Sequence, residues 1–355
     1  MEALVWSQRL VAVLLLVAVG LPLLRSDHWT VRILDYPRSQ KLVLVAGCLL
    51  AGLFSPAPST VDHVLQGLLV LALIYLCWLV RPYTPLARPM LQRVRPHEDE
   101  RTLHLLVCNV LQHNRAYARM AALIAERDPD VVFLLETDAE WQQGIAPAVA
   151  HLEHRIAVPL ANTYGLLFCS RFPIERHQVR YLIDEEVPSI VADLRYGDRT
   201  IRLHGLHPTP PVPQENPEST ERDAEVLLVG REAKECPYPV IVMGDLNDVA
   251  WSHTTRLFLR ISGLLDPRRG RGMFSTFHAR FPLFRWPLDH FFVSGHFRLV
   301  DMRVERQVGS DHLPIALSLV LRSEDERKAM KPDASDLQEA TEKIAEGQES
   351  GDAVN

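Results

Sequence analysis

The chain predicts an α/β domain over residues 96–322, set between a membrane region (1–95) and an acidic tail (323–355). Three observations predict this layout. Three apolar runs crowd the first 80 residues, short β-branched runs then alternate with helix-like segments, and beyond Arg322 there is no aromatic residue and few large apolar ones.

The apolar runs are Leu10–Leu24, Leu42–Phe54 and Val64–Val80. Each is shorter than the ~20 residues that span a hydrocarbon core comfortably, but flanking residues such as Ala3–Trp6 lengthen them, so about three transmembrane helices are expected. A cleaved signal peptide would account for the first run alone, and no A-x-A pattern follows it. The loops give the orientation. Arg25, Arg32, Arg38 and Lys41 lie in the first, Ser55 to His63 carry no Lys or Arg, and Arg81, Arg88, Arg93 and Arg95 follow the third run. Positive charge gathers on the cytoplasmic side, which places the amino terminus outside and the large domain in the cytoplasm. The expected partner of residues 1–95 is thus a lipid bilayer, in an integral membrane protein of a plasma or bacterial-type inner membrane. No obligate protein partner is inferred. Trp78 and Tyr83 read as an interfacial belt, and Pro82, Pro85 and Pro89 as a stiff exit.

Residues 323–355 hold ten Asp or Glu against four Lys or Arg, and so carry the whole net charge of −6. Such a tail is expected to be disordered or at most transiently helical. The rest of the chain balances 34 basic against 34 acidic residues, unlike a protein that grips nucleic acid mainly through its phosphates. Cys48, Cys77, Cys108, Cys169 and Cys236 are scattered with no CxxC spacing, which suggests neither a zinc site nor a disulfide framework.

Within the domain, Leu103–Cys108 reads as a strand, and Asn114 as the cap of a helix running to about Arg127 with Met120, Leu123 and Ile124 on its apolar face. Asp128-Pro129-Asp130 ends that helix. Val131–Leu135, Val240–Met243, Phe291–Val293 and Ile315–Leu321 are short apolar runs suited to buried strands.

Polar residues follow these runs. Asn109 ends the first, Glu136 follows Leu135, Gly244-Asp245-Leu246-Asn247-Asp248 follows Met243, Asp289-His290 precedes Phe291, and Ser310-Asp311-His312-Leu313-Pro314 precedes Ile315. Strand ends of α/β sheets commonly present ligand groups, so these side chains can meet in one cleft. Gathered together, Glu136, Asp245, Asp289 and Asp311 would repel one another unless a cation or a histidine offset them. Hard oxygen ligands favour Mg²⁺ or Mn²⁺ over zinc, and phosphoryl chemistry follows from such a site. Taken singly, each residue also has a plain reading. Glu136-Thr137-Asp138 would cap a helix, Asp245 to Asp248 would form a turn, and Asp289-His290 would be a surface pair.

Their order changes that balance, because the chain resembles the endonuclease/exonuclease/phosphatase superfamily over about residues 101–322. The resemblance rests on Asn109, on Asp130 to Glu136, and on Tyr164 to Ile174 with its Gly…Ser-Arg-x-Pro-Ile element. It continues through His204-Gly205-Leu206-His207-Pro208, Gly244 to Asp248, Leu288 to Ser294 and Ser310 to Pro314. It implies a four-layer α/β/β/α sandwich of two mixed sheets. It also implies that Glu136 binds the divalent ion with Asn109 and Asp311 close by, and that Asp245 and Asn247 orient the attacking water and a phosphate oxygen. His312, held by Asp289, would act as general base or stabilise the transition state, and His207 would assist phosphate binding or leaving-group protonation. Asn162 and Tyr164 are candidate substrate contacts, together with Asn109 and Asn247. Whether Trp251 to Thr255 face the ligand, and whether Arg171 reaches it or supports a loop, is left open, while His104, His113, His151 and His154 are expected to be structural or exposed.

The function expected from this is a membrane-tethered, divalent-metal-dependent phosphoester hydrolase that works by in-line attack of an activated water. Its substrate would be a nucleic acid or a phospholipid or headgroup phosphoester. The alternative is a catalytically silent membrane-anchored binding protein, which a missing metal or histidine position would mark; none is missing.

Overall fold

Two mixed sheets stack face to face in the computed structural model, which describes residues 2–55, 58–322 and 329–354. The first has six strands in the order β10 (Phe297–Val304), β11 (Ile315–Leu321), β1 (Thr102–Asn109), β2 (Val131–Leu135), β4 (Leu166–Ser170) and β3 (His154–Val158). The second orders β5 (Ile174–Tyr181), β6 (Pro188–Tyr196), β7 (Arg199–Leu206), β8 (Val240–Asp245) and β9 (Asp289–Val293). Among the described strands, the β1/β2 and β7/β8 pairs are parallel and the rest antiparallel.

Strand alternation builds the layers. Leu105, Val107, Val131, Phe133 and Leu135 face Ile190, Ala192, Leu203, Ile241, Met243 and Phe291 across the space between the sheets. Their neighbours Leu106, Cys108, Val132 and Leu134 point the other way, against helices α5 (Tyr117–Arg127) and α6 (Ala139–Ile145). On the far side, Leu206, Val240, Val242 and Phe292 are covered by α7 (Thr220–Glu235) and α8 (His253–Ser262). Strand β2 is buried at all five positions because both of its faces are covered, which is why it reads as an unbroken apolar run.

Asn114 does not cap α5 directly. Its Oδ1 accepts the Ala116 N–H at 3.0 Å, and the helix begins one residue later at Tyr117.

The acidic tail departs from expectation. Residues 323–328 and 355 lie outside the described residues, but Ala334–Val354 form a helix, α9, packed on α7 and α8. Average composition conceals its stripe, in which Ala340 and Ile344, four apart, enter the apolar layer over the second sheet. Its charges are paired too, with Asp336 on Arg260 at 2.8 Å, Glu339 on His253 at 2.6 Å and Lys343 on Asp27 at 3.0 Å.

The three apolar runs all form helices. In chain order, α1 (Glu2–Gly20), the one-turn α2 (Trp29–Arg32), α3 (Arg38–Gly52) and α4 (Thr60–Val80) precede the sandwich. By length and composition two segments could cross a membrane, Glu2–Leu24 and Thr60–Tyr83, and α3 is shorter at 15 residues. Ala12, Val19, Val45, Cys48, Leu69, Ala72 and Leu76 pack the three long helices together, while Leu10, Leu14, Leu44, Leu50, Leu71 and Ile74 remain exposed on the outside.

The link to the sandwich is close. Met90 and Leu91 already belong to the layer between the sheets, ahead of residue 96, and Val94 donates its N–H to the Leu299 carbonyl at 2.8 Å. The loop between α1 and α3 docks as well. Trp251 donates its indole N–H to the Asp35 carbonyl at 2.8 Å, and Arg32 reaches the buried carboxylate of Asp223.

Candidate active site

The chain places its polar strand ends at one edge of the sandwich, where a cavity of about 470 Å³ is lined by Asn109, Glu136, Tyr164, His207, Asp245, Asn247, Asp311 and His312 among others. Asn109 ends β1 and Asp245 ends β8, Glu136 directly follows β2, and Asp289 opens β9 beside Asp245 in register.

Backbone geometry marks the same positions. Glu136 and Asn247 hold left-handed conformations, with φ of 60° and 50°. Non-glycine residues rarely adopt this region, and such strain gathers at functional sites. Gly244, with φ of 142°, has no alternative, since a Cβ there would lie 1.9 Å from the Leu206 carbonyl oxygen.

A hydrogen-bonded pair forms the centre. The His312 Nδ1 and Asp289 Oδ2 are 2.8 Å apart, and the His312 Nε2 on the other side of the ring is 3.4 Å from Asp245 Oδ2. Burial alone lowers the basicity of this imidazole, but the charges of Asp289 and Asp245 and the hydrogen bond outweigh it and push His312 up to about 10. Both carboxylates thus favour the imidazolium form of His312. Ser310 sets its place, accepting the His312 N–H at 2.9 Å and donating its hydroxyl to the Asn109 carbonyl at 2.7 Å.

Asn109 holds two acids at once. Its Nδ2 donates to Glu136 at 2.7 Å and to Asp245 at 3.1 Å, while its Oδ1 accepts the Leu111 N–H at 3.0 Å. Desolvation raises the carboxyl of Glu136 above the ordinary range, with the Asn109 bond and the Gln112 N–H at 3.1 Å opposing it. Asp245, wholly buried, is likewise raised by desolvation, against the charge of His312.

Two arrangements of acids could hold a cation. The ligand atoms of Asp245, Asp289 and His312 lie within 4.8 Å of one another, with the His312 Nδ1 already engaged by Asp289 at 2.8 Å. Glu136 differs. Its hydrogen bonds come only from neutral amides, and Asp311 lines the same cavity, so these oxygens fit a hard divalent ion.

His207 ends up neutral, as burial lowers it to about 4. Its Nε2 lies 3.9 Å from Asp245 and its Nδ1 has no hydrogen-bond partner among the described residues, so a ring nitrogen is free to meet a phosphate oxygen. Alternation puts it there. Leu206 faces the outer helices, so His204 does too, and Gly205 lies against Phe133 between the sheets. The Tyr164 ring lies 5.4 Å from the His207 ring, tilted 45° to it, and its hydroxyl donates to Glu215.

Some expected contacts are not brought in. Asn162 lines a neighbouring cavity, where its Oδ1 accepts the Tyr164 N–H at 3.2 Å. Trp251 to Thr255 are structural: Ser252 caps α8 by accepting the Thr255 N–H at 2.9 Å, and the Thr255 hydroxyl donates to Asp248 at 3.0 Å. Asp138 takes the plain reading, capping α6 through the Trp141 N–H at 2.7 Å, and Arg171 supports its loop through Asp128 at 2.7 Å. Other residues carried no sequence signal. The Asn247 carbonyl accepts from Arg222 at 2.7 Å and from Tyr36 at 2.9 Å, and Trp29 and Ile33 of the first loop line the cavity.

No curated protein matches the chain by sequence. Solved structures do match in fold. D. rerio TDP2 complexed with single-strand DNA product superimposes with a TM-score of 0.52 at 18% identity, covering 61% of this chain and 98% of that one. Humanized D. rerio TDP2 gives 0.52 at 16% identity, over 61% and 98%. An endonuclease/exonuclease/phosphatase family protein from Bacteroides thetaiotaomicron gives 0.51 at 18% identity, over 63% and 100%. The sequence profile of the Endonuclease/Exonuclease/phosphatase family matches residues 106–312, more than half the chain and every polar strand end that converges on the cavity, and the chain belongs to that family.

Proposed function

We propose that this chain is a membrane-tethered phosphoester hydrolase that depends on a divalent metal, Mg²⁺ or Mn²⁺. Hydrolysis of phosphoester bonds is the general chemistry of its family. The observation that carries the reading is the buried His312–Asp289 pair set 3.4 Å from Asp245, with Glu136 and Asn109 adjoining.

Glu136, with Asn109 and Asp311 beside it, would hold the ion, which supplies charge neutralisation at a phosphate oxygen when bound. Asp245 accepts a proton from the attacking water, whose oxygen bonds to phosphorus as the ester oxygen leaves in line. Asn247 orients that water, its backbone N–H held by Asp245 at 3.0 Å and its side-chain amide by the Pro208 carbonyl at 3.0 Å. The His312 imidazolium stabilises the charge gathering on a nonbridging oxygen, and neutral His207 donates a hydrogen bond to the phosphate.

The tether is supported by the large apolar side chains, such as Leu10, Leu14, Leu44, Leu50, Leu71 and Ile74, that α1, α3 and α4 leave exposed on their outer faces. The loop between α1 and α3 and the exit after α4 both dock on the sandwich, as a three-span path with both on one side requires. With the positive charge of those segments, that side is the cytoplasm.

The test is turnover of bis-p-nitrophenyl phosphate by the full chain in detergent. Activity should appear with Mg²⁺ or Mn²⁺ and vanish with EDTA, and Glu136→Ala should lower it at least ~100-fold with the circular dichroism spectrum retained. Undiminished turnover in EDTA would remove the metal from the mechanism.

A further inference from the structure

The catalytic cavity is not built by the family domain alone. Trp29, Ile33 and Tyr36, from the loop between the first two long apolar helices, form part of its wall, and Pro210, Pro211, Val212, Phe277, Trp286 and Leu288 extend that apolar surface. Charge is distributed unevenly over it. Among the described residues no lysine or arginine lines the cavity, while Glu136, Glu215, Asp245 and Asp311 do.

The wall continues toward the membrane helices. Phe277 and Trp286 pair as a short antiparallel bridge, and the connection between them carries Phe281, Leu283 and Phe284, all exposed, Leu283 at 79%. This tip touches the membrane region, because Gln40 in the first turn of α3 donates to the Leu283 carbonyl at 2.7 Å. Ile33, 53% exposed, stands on the same loop as α3 begins. A patch of large apolar side chains thus runs from the end of the helix bundle into the catalytic cavity. Isolated exposed apolar residues need no explanation, but a continuous patch rimmed by polar groups marks a binding surface.

Nucleic acid suits this surface poorly. Strand binding pairs aromatic platforms with cations that follow the backbone; the 277–286 connection carries Arg280, exposed, and Arg285, turned back onto the Ala279 carbonyl, but among the described residues no cation lines the cavity where the phosphate would sit. We propose that the first inter-helix loop and the 277–286 connection form an apolar chain-binding subsite, so that the substrate is an amphipathic phosphoester whose hydrocarbon chain enters from the bilayer. Its phosphate lies at Asp245, His207 and His312, and its chain lies along Ile33, Trp29 and Trp286. The subsite rests on the hydrolase reading above and adds the substrate class to it.

Alkyl p-nitrophenyl phosphates from methyl to octyl test it, with the full chain in phosphatidylcholine nanodiscs and Mg²⁺. Water adds to phosphorus and p-nitrophenolate leaves, so every homologue reports the same bond cleavage. In the wild type kcat/KM should rise with chain length, by up to about fourfold for each methylene buried. Partitioning into the bilayer lifts all variants alike, so the comparison with variants carries the test. Trp29→Ala with Ile33→Ala should lower the octyl-to-methyl ratio at least tenfold. Ile33→Asp, at an exposed position that tolerates folding, should do the same. A ratio unchanged in both variants overturns the subsite and leaves the hydrolase reading intact. No turnover of any homologue overturns the hydrolase reading, and the subsite with it. A single-stranded oligonucleotide cleaved with a higher kcat/KM than the octyl ester also overturns the proposal.

Discussion

Tyr36, in the loop between two apolar helices, donates its hydroxyl to the backbone carbonyl of Asn247 at 2.9 Å, tying the N-terminal helical region to a residue at the candidate site. The same carbonyl accepts from Arg222 at 2.7 Å, and Asn247 holds a left-handed backbone. Two donors thus keep a strained residue in place. We predict that Tyr36→Phe, leaving Arg222 to hold the carbonyl, lowers kcat/KM on a small soluble diester about three- to tenfold, the equivalent of one hydrogen bond. A value within twofold of wild type would show that the loop does not position Asn247.

Asp289 and His312 should act as one unit, because the carboxylate both orients the ring and keeps it charged. His312→Ala is expected to lower kcat at least ~100-fold, as loss of a proton-transfer or charge-stabilising group does. Asp289→Asn keeps the shape without the charge and should lower kcat by about 10- to 100-fold. Groups that work together lose activity once, so the double variant should be no worse than His312→Ala by more than about threefold. Kinetics in which the two losses multiply would separate the residues.

How far the sequence was legible depended on whether the signal was local. Strands such as Val131–Leu135 announce themselves, because burial on both faces leaves an unbroken apolar run. Glu136 and Asp138 stand two residues apart and divide the functional and the plain readings between them, as the turn into α6 aims one at the cavity and the other at the Trp141 N–H. Only the ordered set of motifs singled out the first. Tyr36 and the cavity wall at Trp29 and Ile33 carried no such signal, since their meaning arises from a docking between segments about 190 to 210 residues apart, and Arg222, 25 residues from Asn247, meets it only through the packing of α7 beside β8. The acidic tail misled for a different reason. Charge composition describes the mean of a segment, whereas Ala340 and Ile344 dock through their spacing.

Glu225 gives a pH prediction away from the cation site. It is buried on α7 with one carboxyl oxygen unpartnered, and desolvation raises it to about 8 against the opposing charge of Arg180. Between about 4.5 and 8 the folded chain therefore keeps a proton that the unfolded chain has lost, so this group's contribution to stability falls as pH rises through that window. Glu225→Gln should remove the effect. The difference in melting temperature between variant and wild type is expected to be small at pH 5 and to grow in the variant's favour by pH 8.5. A difference that stays constant over this range would contradict a protonated buried Glu225.

Removing α9 tests whether the acidic tail is structural. Ending the chain at Pro332 uncovers the surface of α7 and α8 that Ala340 and Ile344 cover, and releases the ion pairs of Asp336 with Arg260 and of Lys343 with Asp27. The apolar contact should account for about 2–3 kcal/mol, and the pairs are largely buried, Lys343 also lying 3.6 Å from Asp223, so their loss adds to it. For a domain of this size that corresponds to a fall in melting temperature of about 5–10 °C. Because no described residue of α9 lines the candidate cavity, turnover with Mg²⁺ at a temperature well below the melting point should stay within about twofold of wild type. A melting temperature unmoved by the truncation would mean that the tail is not docked in solution, and the composition of residues 323–355 would then have been the better guide.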